Sequence, residues 1–461
     1  MSLPSESGAT SWVDTANQSG NGFPLLWLPY CAFTPVSASG PASWPDLAAP
    51  MAEEPNPGLV PHLGVGIGAF ILDLHKLQTS GLLSDLPAKL QSACRSIHLN
   101  GLMGCGPSAW SALRERLFDL LMWSGPDCTH DQAQQRLVAA LLTPMAQAIF
   151  HKPVWTENYT DFYASLHHAR NVGRLFRPDE PLLPNYRWLP IGYHGRASSL
   201  IVSGTPVRRP HGQCKAGSES APVFQPSTRL DYELEVAAYV GVGNPLGSRI
   251  PIEQAAKCLF GLSLLNDWSA RDIQSWEYQP LGPFLGKSFA TSVSPWVIPM
   301  DALAPYRTRL TPRPASEPAP LAYLAEPDSN LSGLDITVET YLSTAQMRER
   351  RIPAQRLSQA NLRDLYWSFA QMLTHQTSNG CNLKIGDILA SGTISGEQPG
   401  SQGCLLEMTK GGEVPLCLPT GEQRTFLEDG DEVSLRGYSE REGLPMVSMG
   451  ECRGRVLSAT E

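Results

Sequence analysis

The spacing of hydrophobic residues changes along the chain and predicts two units of different structure. Residues 23–33 (FPLLWLPYCAF) and 63–74 (LGVGIGAFILDL) are nearly continuous apolar runs, which are typical of buried strands. From about residue 81 to residue 150 the apolar positions recur with a helical period, as in PSAWSALRERLFDLLMW and DQAQQRLVAALLTPMAQAIF. Beyond residue 151, short apolar segments alternate with Gly and Pro turns, which predicts a second unit dense in short strands.

These changes of pattern divide the chain into a tail and two domains. Residues 1–22 are polar and predict a disordered tail, whereas residues 23–152 form a small mixed N-terminal domain. Within that domain, residues 35–58 are rich in Pro, Ala, Ser and Gly and predict a loop insertion. Residues 153–461 form the larger C-terminal domain. The 40 prolines and 40 glycines favour a loop-rich fold that is mostly β with some α.

Composition and charge limit the classes of partner. The formal net charge is −9 and no basic run is present, so nucleic acid and an anionic membrane are not expected as partners. No apolar window approaches the ~18 residues of a membrane span, and the polar N-terminus lacks the apolar core of a signal peptide. The ten cysteines are scattered without a C-x-x-C pair, which favours reduced thiols and a cytoplasmic location.

Two segments are similar to nucleotide-binding motifs, but their context predicts otherwise. Residues 63–69 match G-x-G-x-x-A, yet strand-like FILDL follows where that fingerprint needs the start of a helix, so a hairpin is predicted. Residues 282–288 (GPFLGKS) approach a phosphate-binding loop, but their two glycines are one residue too close together. The sequence contains neither G-x-S-x-G nor H-E-x-x-H, which removes the usual support for a serine hydrolase or a zinc peptidase.

An acidic alternation in residues 229–241 (RLDYELEVAAYVG) is the first candidate for chemistry. Asp231, Glu233 and Glu235 occupy every second position of an apolar, strand-like segment, so their side chains are expected on one face. A solvated face would explain a lone E-x-E, but the apolar flanks indicate an interior strand. Carboxylates roughly 7 Å apart in such a place stay ionised only with a cation between them, and Ca²⁺ or Mg²⁺ fits oxygen ligands better than zinc.

Two other segments offer oxygen ligands and a base. An apolar run over residues 258–265 ends just before Asp267, which is equally suited to bind a metal or to cap the next turn. In YTDFYASLHHARN, Thr160 or Asp161 can cap a short helix, on which Asp161 and His168 lie seven residues apart and share a face. This spacing pairs an acidic ligand with a possible base, although a lone histidine of this kind is more often structural.

Longer motifs extend along most of the chain and resemble one family. The segments YTDFYASLHHARNVG, LPIGYHGRASSLIVSGTPVRRPHGQ, LDYELEVAAYVG, NDWSARDIQSWEYQPLGPFLGKSF, THQTSNGCNLKIGDILASGTISG and RTFLEDGDEV, with LPYCAF, GVGIGAFILDL and GLMGCGPSAW, resemble the fumarylacetoacetase family. The resemblance is collinear from about residue 23 to residue 458 and departs from the family at Ala290, where Gly is usual, and at Glu157-Asn158. It implies a small N-terminal SH3-like β-barrel domain, a C-terminal mixed β-roll catalytic domain, and a homodimer.

The resemblance also implies an activity and the metal ions that support it. The implied reaction is hydrolysis of the carbon–carbon bond of 4-fumarylacetoacetate to fumarate and acetoacetate, the last step of tyrosine and phenylalanine catabolism. Lys287 and Thr291 are implied, with Asp267, in a second site for Mg²⁺, whereas Asp231 is not a ligand. Four carboxylates are implied as ligands of a divalent cation, expected to be Ca²⁺: Asp161, Glu233, Glu235 and Asp267.

Further roles follow from the same motif positions. His168 matches the family's catalytic base, and Glu407 matches the acid that orients it. Arg271 and Lys287 match groups that stabilise the transition state. The substrate-binding positions of the family match six residues here: Tyr163, Arg177, Tyr193, Gln274, Tyr278 and Thr393.

Two alternatives to this function stay open. A related superfamily hydrolase would act on another acylpyruvate-type 1,3-diketo acid, but such relatives mostly lack the N-terminal domain and the GYHGRASS block that stand here. A non-catalytic binding homologue would be expected to lose His168 or Glu407, and this chain keeps both.

Overall fold

The computed structural model describes residues 9–18, 20, 22–36, 60–123, 129–215 and 221–460. The strands of its N-terminal part are β1 (Tyr30–Pro35), β2 (His62–Ile67), β3 (Phe70–Asp73), β4 (Leu142–Pro144) and β5 (Ala148–His151). The helices there are α1 (Leu74–Thr79), α2 (Ala88–Ala93), α3 (Asn100–Met103), α4 (Pro107–Leu121) and α5 (Thr129–Ala139). The strands form an antiparallel sheet in the order β4-β3-β2-β1-β5.

The hairpin predicted around the glycine-rich segment is present. β2 pairs with β3 in the register Gly66↔Ile71, and Gly68 adopts a positive φ of 54° in the turn between them. Asp73 then caps α1 by accepting a hydrogen bond from the Lys76 N–H at 3.0 Å. Because a strand follows the glycines, this segment does not present a helix N-terminus to a phosphate.

Two predictions about the N-terminal part are wrong. Residues 9–18 are not disordered: Val13 and Ala16 are buried, and the Ser11 hydroxyl donates to the Leu121 carbonyl at 2.7 Å. The polar composition of this segment concealed two apolar residues that pack into the domain core. The helical period predicted up to residue 150 ends at residue 139, because strands β4 and β5 pair with distant strands instead. The predicted insertion, 35–58, lies outside the described residues from residue 37 onward.

The C-terminal part is built mainly from short strands. Its helices are α6 (Leu166–Phe176), α7 (Ile252–Cys258), α8 (Arg271–Glu277), α9 (Met300–Leu303), α10 (Ala345–Glu349), α11 (Phe369–Thr377) and α12 (Leu405–Met408). Its strands are β6 (Tyr159–Phe162), β7 (Gly192–Gly195), β8 (Leu200–Val202), β9 (Val207–Arg208), β10 (His211–Cys214), β11 (Val223–Pro226), β12 (Leu230–Asp231), β13 (Leu234–Val240), β14 (Leu259–Asp267), β15 (Ser269–Ala270), β16 (Thr291–Val293), β17 (Ile298–Pro299), β18 (Arg307–Thr308), β19 (Gly333–Leu334), β20 (Thr337–Ser343), β21 (Gln355–Asn361), β22 (Ile388–Ala390), β23 (Leu416–Cys417), β24 (Gln423–Arg424), β25 (Glu432–Ser439) and β26 (Val447–Leu457).

Two sheets organise the C-terminal part. The larger follows the order β7-β6-β22-β13-β14-β16-β8, with β17 added beside β14, and the smaller follows β21-β20-β25-β26-β9. Every residue of β13 and β14 is buried, as expected for central strands covered on both faces. The predicted fold class, mostly β with some α and a smaller N-terminal domain before a larger C-terminal one, is therefore confirmed.

The two domains share buried contacts. Tyr30 of β1 forms a backbone bridge with Val297, and Trp110 of α4 packs edge-on against Phe260 of β14 with ring centroids 5.1 Å apart. Phe23 packs against Trp296 in the same way at 4.6 Å. Within the described ranges, no helix combines the length and apolar composition needed to cross a bilayer.

Candidate active site

Four buried carboxylates meet between the central strands of the large sheet. Asp161 lies in β6, Glu233 precedes β13, Glu235 lies in β13 and Asp267 ends β14. One oxygen from each lies within 4.8 Å of the others. The structure thus brings together four side chains that are up to 106 positions apart in the chain. The Asp267 side chain joins this cluster, and its role as a metal ligand stays a prediction.

Two local expectations about these residues are wrong. Asp161 does not cap a helix: it lies in β6, which pairs with β22 and β7, and Ser165 caps α6 through a hydrogen bond from the His168 N–H. Asp231 does not join the cluster with the other two acidic residues. The strand is interrupted between Asp231 and Leu234, where the Glu233 N–H donates to the Asn266 side chain at 3.0 Å.

The carboxylate cluster fits a divalent cation. Both oxygens of Glu235 and one oxygen of Asp161 are buried without a hydrogen-bond partner among the described residues. Burial, reinforced by the neighbouring carboxylates, raises the pKa of Asp161 and of Glu235 well above the ordinary value. Four carboxylates are hard oxygen donors, which suit Ca²⁺ or Mg²⁺.

Two cations of the chain itself border the cluster. Lys287 contacts Glu233 and lies 2.9 Å from Asp267, and the Arg271 Nη1 donates to Glu233 at 2.7 Å. Burial alone would raise the pKa of Glu233, but Lys287, Arg271 and then His168 lower it below the ordinary value. Glu233 therefore stays ionised without a bound metal.

His168 and Glu407 form a buried pair beside the cluster. Glu407 Oε1 lies 2.6 Å from His168 Nδ1, and the same carboxylate accepts hydrogen bonds from Asn171 and Ser395 at 2.8 Å each. Burial would raise the pKa of Glu407, but the charge and hydrogen bond of His168 and these two donors lower it. Since an ionised carboxylate only accepts, the Nδ1 of His168 carries a proton and Nε2 is the basic nitrogen of the neutral ring.

The six predicted substrate-binding residues are placed unequally. The Tyr163 ring packs edge-on against His168 at 5.2 Å, the Tyr193 hydroxyl donates to Asp267 at 2.5 Å, and Gln274 accepts from Arg271 at 3.2 Å. The Thr393 hydroxyl is buried without a partner among the described residues. Arg177 and Tyr278 are exposed at the ends of α6 and α8.

Thr291, the first residue of β16, lies beside the cluster, and Ala290 precedes it in the chain. The Thr291 hydroxyl donates to Asp267 at 2.8 Å, and Ala290 is buried. Asp267 thus accepts hydrogen bonds from Thr291 and from Tyr193 in addition to its ion pair with Lys287.

Sequence reasoning missed several groups that hold the site. Asn171 lies three residues after His168, so helical spacing could have identified it as a neighbour on the same face of α6. Ser395, and the Tyr159 hydroxyl that donates to Asp161 at 3.2 Å, carried no comparable signal. Asp231, which seemed a ligand by alternation, instead accepts hydrogen bonds from Arg271 and from the start of α12.

Comparisons with known proteins agree with the motifs. The family models described as Fumarylacetoacetase N-terminal and Fumarylacetoacetate (FAA) hydrolase C-terminal match residues 52–153 and 157–457. Fumarylacetoacetase of Rattus norvegicus is 44% identical over 97% of this chain and 99% of its own length. That of Oryza sativa subsp. japonica is 43% identical over 100% of both chains, and that of Homo sapiens is 46% identical over 87% and 92%.

Among solved structures, the chain is similar to a fumarylacetoacetate hydrolase from psychrophilic Exiguobacterium antarcticum. The TM-score is 0.48 at 15% identity, over 94% of this chain and 99% of the other. The family models and the sequence relatives, which extend through both domains, decide the assignment. The chain belongs to the fumarylacetoacetase family.

Proposed function

We propose that this chain hydrolyses 4-fumarylacetoacetate to fumarate and acetoacetate, the last step of tyrosine and phenylalanine catabolism. The names and high identity of its relatives support this substrate. The observation that carries the proposal is the buried His168–Glu407 pair next to the four-carboxylate cluster. The pair would supply a base for water, and the cluster would hold a cation whose Lewis acidity acts on a diketone.

Each residue has a distinct part in the proposed reaction. His168 Nε2 takes a proton from water, and Glu407 stabilises the imidazolium that forms. The hydroxide oxygen bonds to the carbonyl carbon next to the fumaryl group. Collapse of that adduct breaks the carbon–carbon bond, and its electron pair leaves with acetoacetate as an enolate. The enolate is then protonated on carbon, and fumarate is the other product.

Arg271, Lys287 and Gln274 are the groups that would donate hydrogen bonds to the oxygen that gains negative charge. Each such donor is worth about 3 kcal/mol in other enzymes. Arg177 suits a terminal carboxylate of the substrate, because a guanidinium binds a carboxylate through two parallel hydrogen bonds. Tyr163, Tyr193, Tyr278 and Thr393 would complete the substrate contacts.

We assign the four carboxylates to one divalent cation and propose Ca²⁺. When bound, such a cation supplies Lewis acidity to the two oxygens of a 1,3-dicarbonyl. The donor set suits a second cation, the expected Mg²⁺, less well. Burial would lower the pKa of Lys287, but Asp267 and Glu233 raise it well above the ordinary value, and an ammonium has no lone pair for a metal. A homodimer and a cytoplasmic location are part of the same proposal and rest on the family resemblance.

The test is direct turnover. Purified protein with Ca²⁺ is expected to remove the absorbance of fumarylacetoacetate while releasing fumarate and acetoacetate in equal amounts. Acetylpyruvate, an acylpyruvate, serves as the comparison substrate. Turnover of acetylpyruvate alone would favour the superfamily alternative, and binding without turnover of either compound would favour a non-catalytic homologue.

A further inference from the structure

Asp231 joins three parts of the site without belonging to the carboxylate cluster. It is fully buried at the end of β12 and accepts a hydrogen bond from the Arg271 Nε at 2.9 Å. It also accepts from the N–H groups of Leu405 and Leu406, the first two residues of α12, at 2.8 and 2.9 Å. The acidic alternation in the sequence therefore serves two purposes, of which only one concerns the cation.

The contact with Arg271 fixes the orientation of its guanidinium. Asp231 holds Nε and Glu233 holds Nη1, so two of the three nitrogens of this planar group are fixed by carboxylates. The third, Nη2, is buried and has no hydrogen-bond partner within the described part of the chain. A buried donor without a partner is costly, and a substrate oxygen that gains charge would satisfy it.

The contact with α12 holds the turn that carries Glu407. This helix has four residues, and its N-cap residue, Cys404, provides no side-chain hydrogen bond to it. Helix N-termini leave unpaired N–H groups, and the Asp231 carboxylate accepts two of them from outside the helix. Glu407 is the third residue of the same turn, so its position beside His168 depends on this anchor.

We propose that Asp231 is a positioning residue for the reaction proposed above. It holds the side chains of Arg271 and Glu407 in fixed positions relative to each other. It touches no reacting atom itself, and it acts through the two side chains that do. Its loss displaces an oxyanion donor and the partner of the base at the same time. The inference rests on the proposed function, because the effect is read in that reaction.

The experiment uses the full-length protein with Ca²⁺ and the variant Asp231→Asn, which keeps the size but loses the charge. We expect kcat to fall by about 10²-fold with KM changed less than about threefold. Misplaced donors reduce the stabilisation of the transition state more than they reduce the binding of the substrate. The double variant with Arg271→Gln is expected to lose less than the product of the two single losses, because the contact between Asp231 and Arg271 is counted in both single variants while the contact with α12 is not. A merely structural loss would multiply with the Arg271→Gln effect.

Asp431→Asn is the matched control, because Asp431 is also a buried carboxylate that accepts from an arginine Nε (Arg424, 2.8 Å) and from a backbone N–H. It is expected to retain wild-type kcat per folded molecule. If Asp231→Asn does not fold, the smaller Asp231→Ser gives the same comparison. Three results would overturn the inference. They are a wild-type kcat in the Asp231 variant, a loss in the double variant equal to the product of the two single losses, and an equal loss of kcat in the Asp431→Asn control. Failure of the wild-type protein to turn over fumarylacetoacetate would instead overturn the proposed function.

Discussion

At the scale of single residues, the site depends on how charge is shared between buried side chains. Glu407 is ionised because three neighbours donate to it, and its contact with Nδ1 leaves Nε2 of His168 as the base. Glu233 is ionised because Lys287 and Arg271 surround it. Among the described residues, both oxygens of Glu235 lack a hydrogen-bond partner, and Asp161 accepts only from the Tyr159 hydroxyl, so these two carboxylates depend most on a cation.

The Glu407→Gln variant tests the base and its partner. Glutamine keeps the size and one acceptor, but it no longer stabilises an imidazolium on His168. We expect kcat to fall by about 10³–10⁴-fold, as for the loss of charge in other His–carboxylate pairs, with the protein still able to bind Ca²⁺. The measurements are steady-state kinetics and calorimetric Ca²⁺ titration. A change confined to KM would place Glu407 in substrate binding instead.

His167 and His168 are adjacent in the chain, so alanine variants of the two can be compared directly. Successive helical residues point about 100° apart, so His167 and His168 cannot both face the cluster. His168 is buried against Glu407, whereas His167 is partly exposed. His168→Ala is expected to abolish hydrolysis, and His167→Ala to retain most of it, at similar melting temperatures. Equal losses in the two variants would indicate a structural effect of α6 rather than catalysis.

At the scale of elements, neighbouring strands deliver the carboxylates. β6, β22, β13 and β14 lie side by side in the large sheet, and three of them carry cluster residues at or near their ends. The helix α6 follows β6 directly and carries His168, so a single strand–helix segment provides both an acidic ligand and the base. The cluster therefore ties together strands that are separate in the chain.

Removal of the cation is the prediction at this scale. Chelation is expected to lower the melting temperature and abolish turnover, with about 3 kcal/mol of stability lost relative to protein at a hundredfold excess of Ca²⁺ over Kd. In the chelated protein the pKa values of Asp161 and Glu235 exceed their unfolded values, so stability falls as pH rises above those unfolded values. Ca²⁺ binding strengthens as the carboxylates ionise.

The difference in melting temperature between loaded and chelated protein should therefore widen as pH rises from 5 to 8. Differential scanning calorimetry across that range checks both the sign and the size. Protein treated with excess chelator and then restored with Ca²⁺ controls for irreversible damage. Identical melting curves and turnover with and without chelator would contradict the metal assignment.

At the scale of the whole molecule, the N-terminal domain supports the central strands of the catalytic one. Phe260 of β14 packs between Trp110 of α4 and Tyr30 of β1, and the same strand ends at Asp267. Buried residues of both domains form one continuous hydrophobic cluster. The cluster of carboxylates is thus supported by a core to which both domains contribute.

Phe260→Ala is the prediction that follows. Removing this ring leaves a cavity at the domain contact and is expected to cost about 3–5 kcal/mol of unfolding free energy. Because the core is shared, both domains should still unfold in one calorimetric transition, at a lower temperature. Ile149→Ala, at an exposed position of β5, serves as the control and should have little effect. Two separate transitions in the Phe260 variant would show that the domains fold independently.

Features that depend on neighbours along the chain could be predicted from the amino-acid sequence alone. Alternation and turn signals predicted the β2–β3 hairpin and the mostly β class, because strand period and turn chemistry are local properties. The alternation of Asp231, Glu233 and Glu235 in an apolar strand predicted a cation site by the same logic, with Asp231 counted as one acidic residue too many. The long motifs predicted the family and, through it, the remaining site residues.

Which distant residues meet depends instead on how the elements pack in three dimensions. Glu407 is 239 positions from His168, and no spacing rule connects them until α12 returns to α6. Asp231 alternates with the two glutamates in the sequence, but in the fold its carboxylate accepts hydrogen bonds from Arg271 and from the first turn of α12. Local spacing determines the side of an element on which a residue lies, whereas sheet order and connecting turns determine what that side faces.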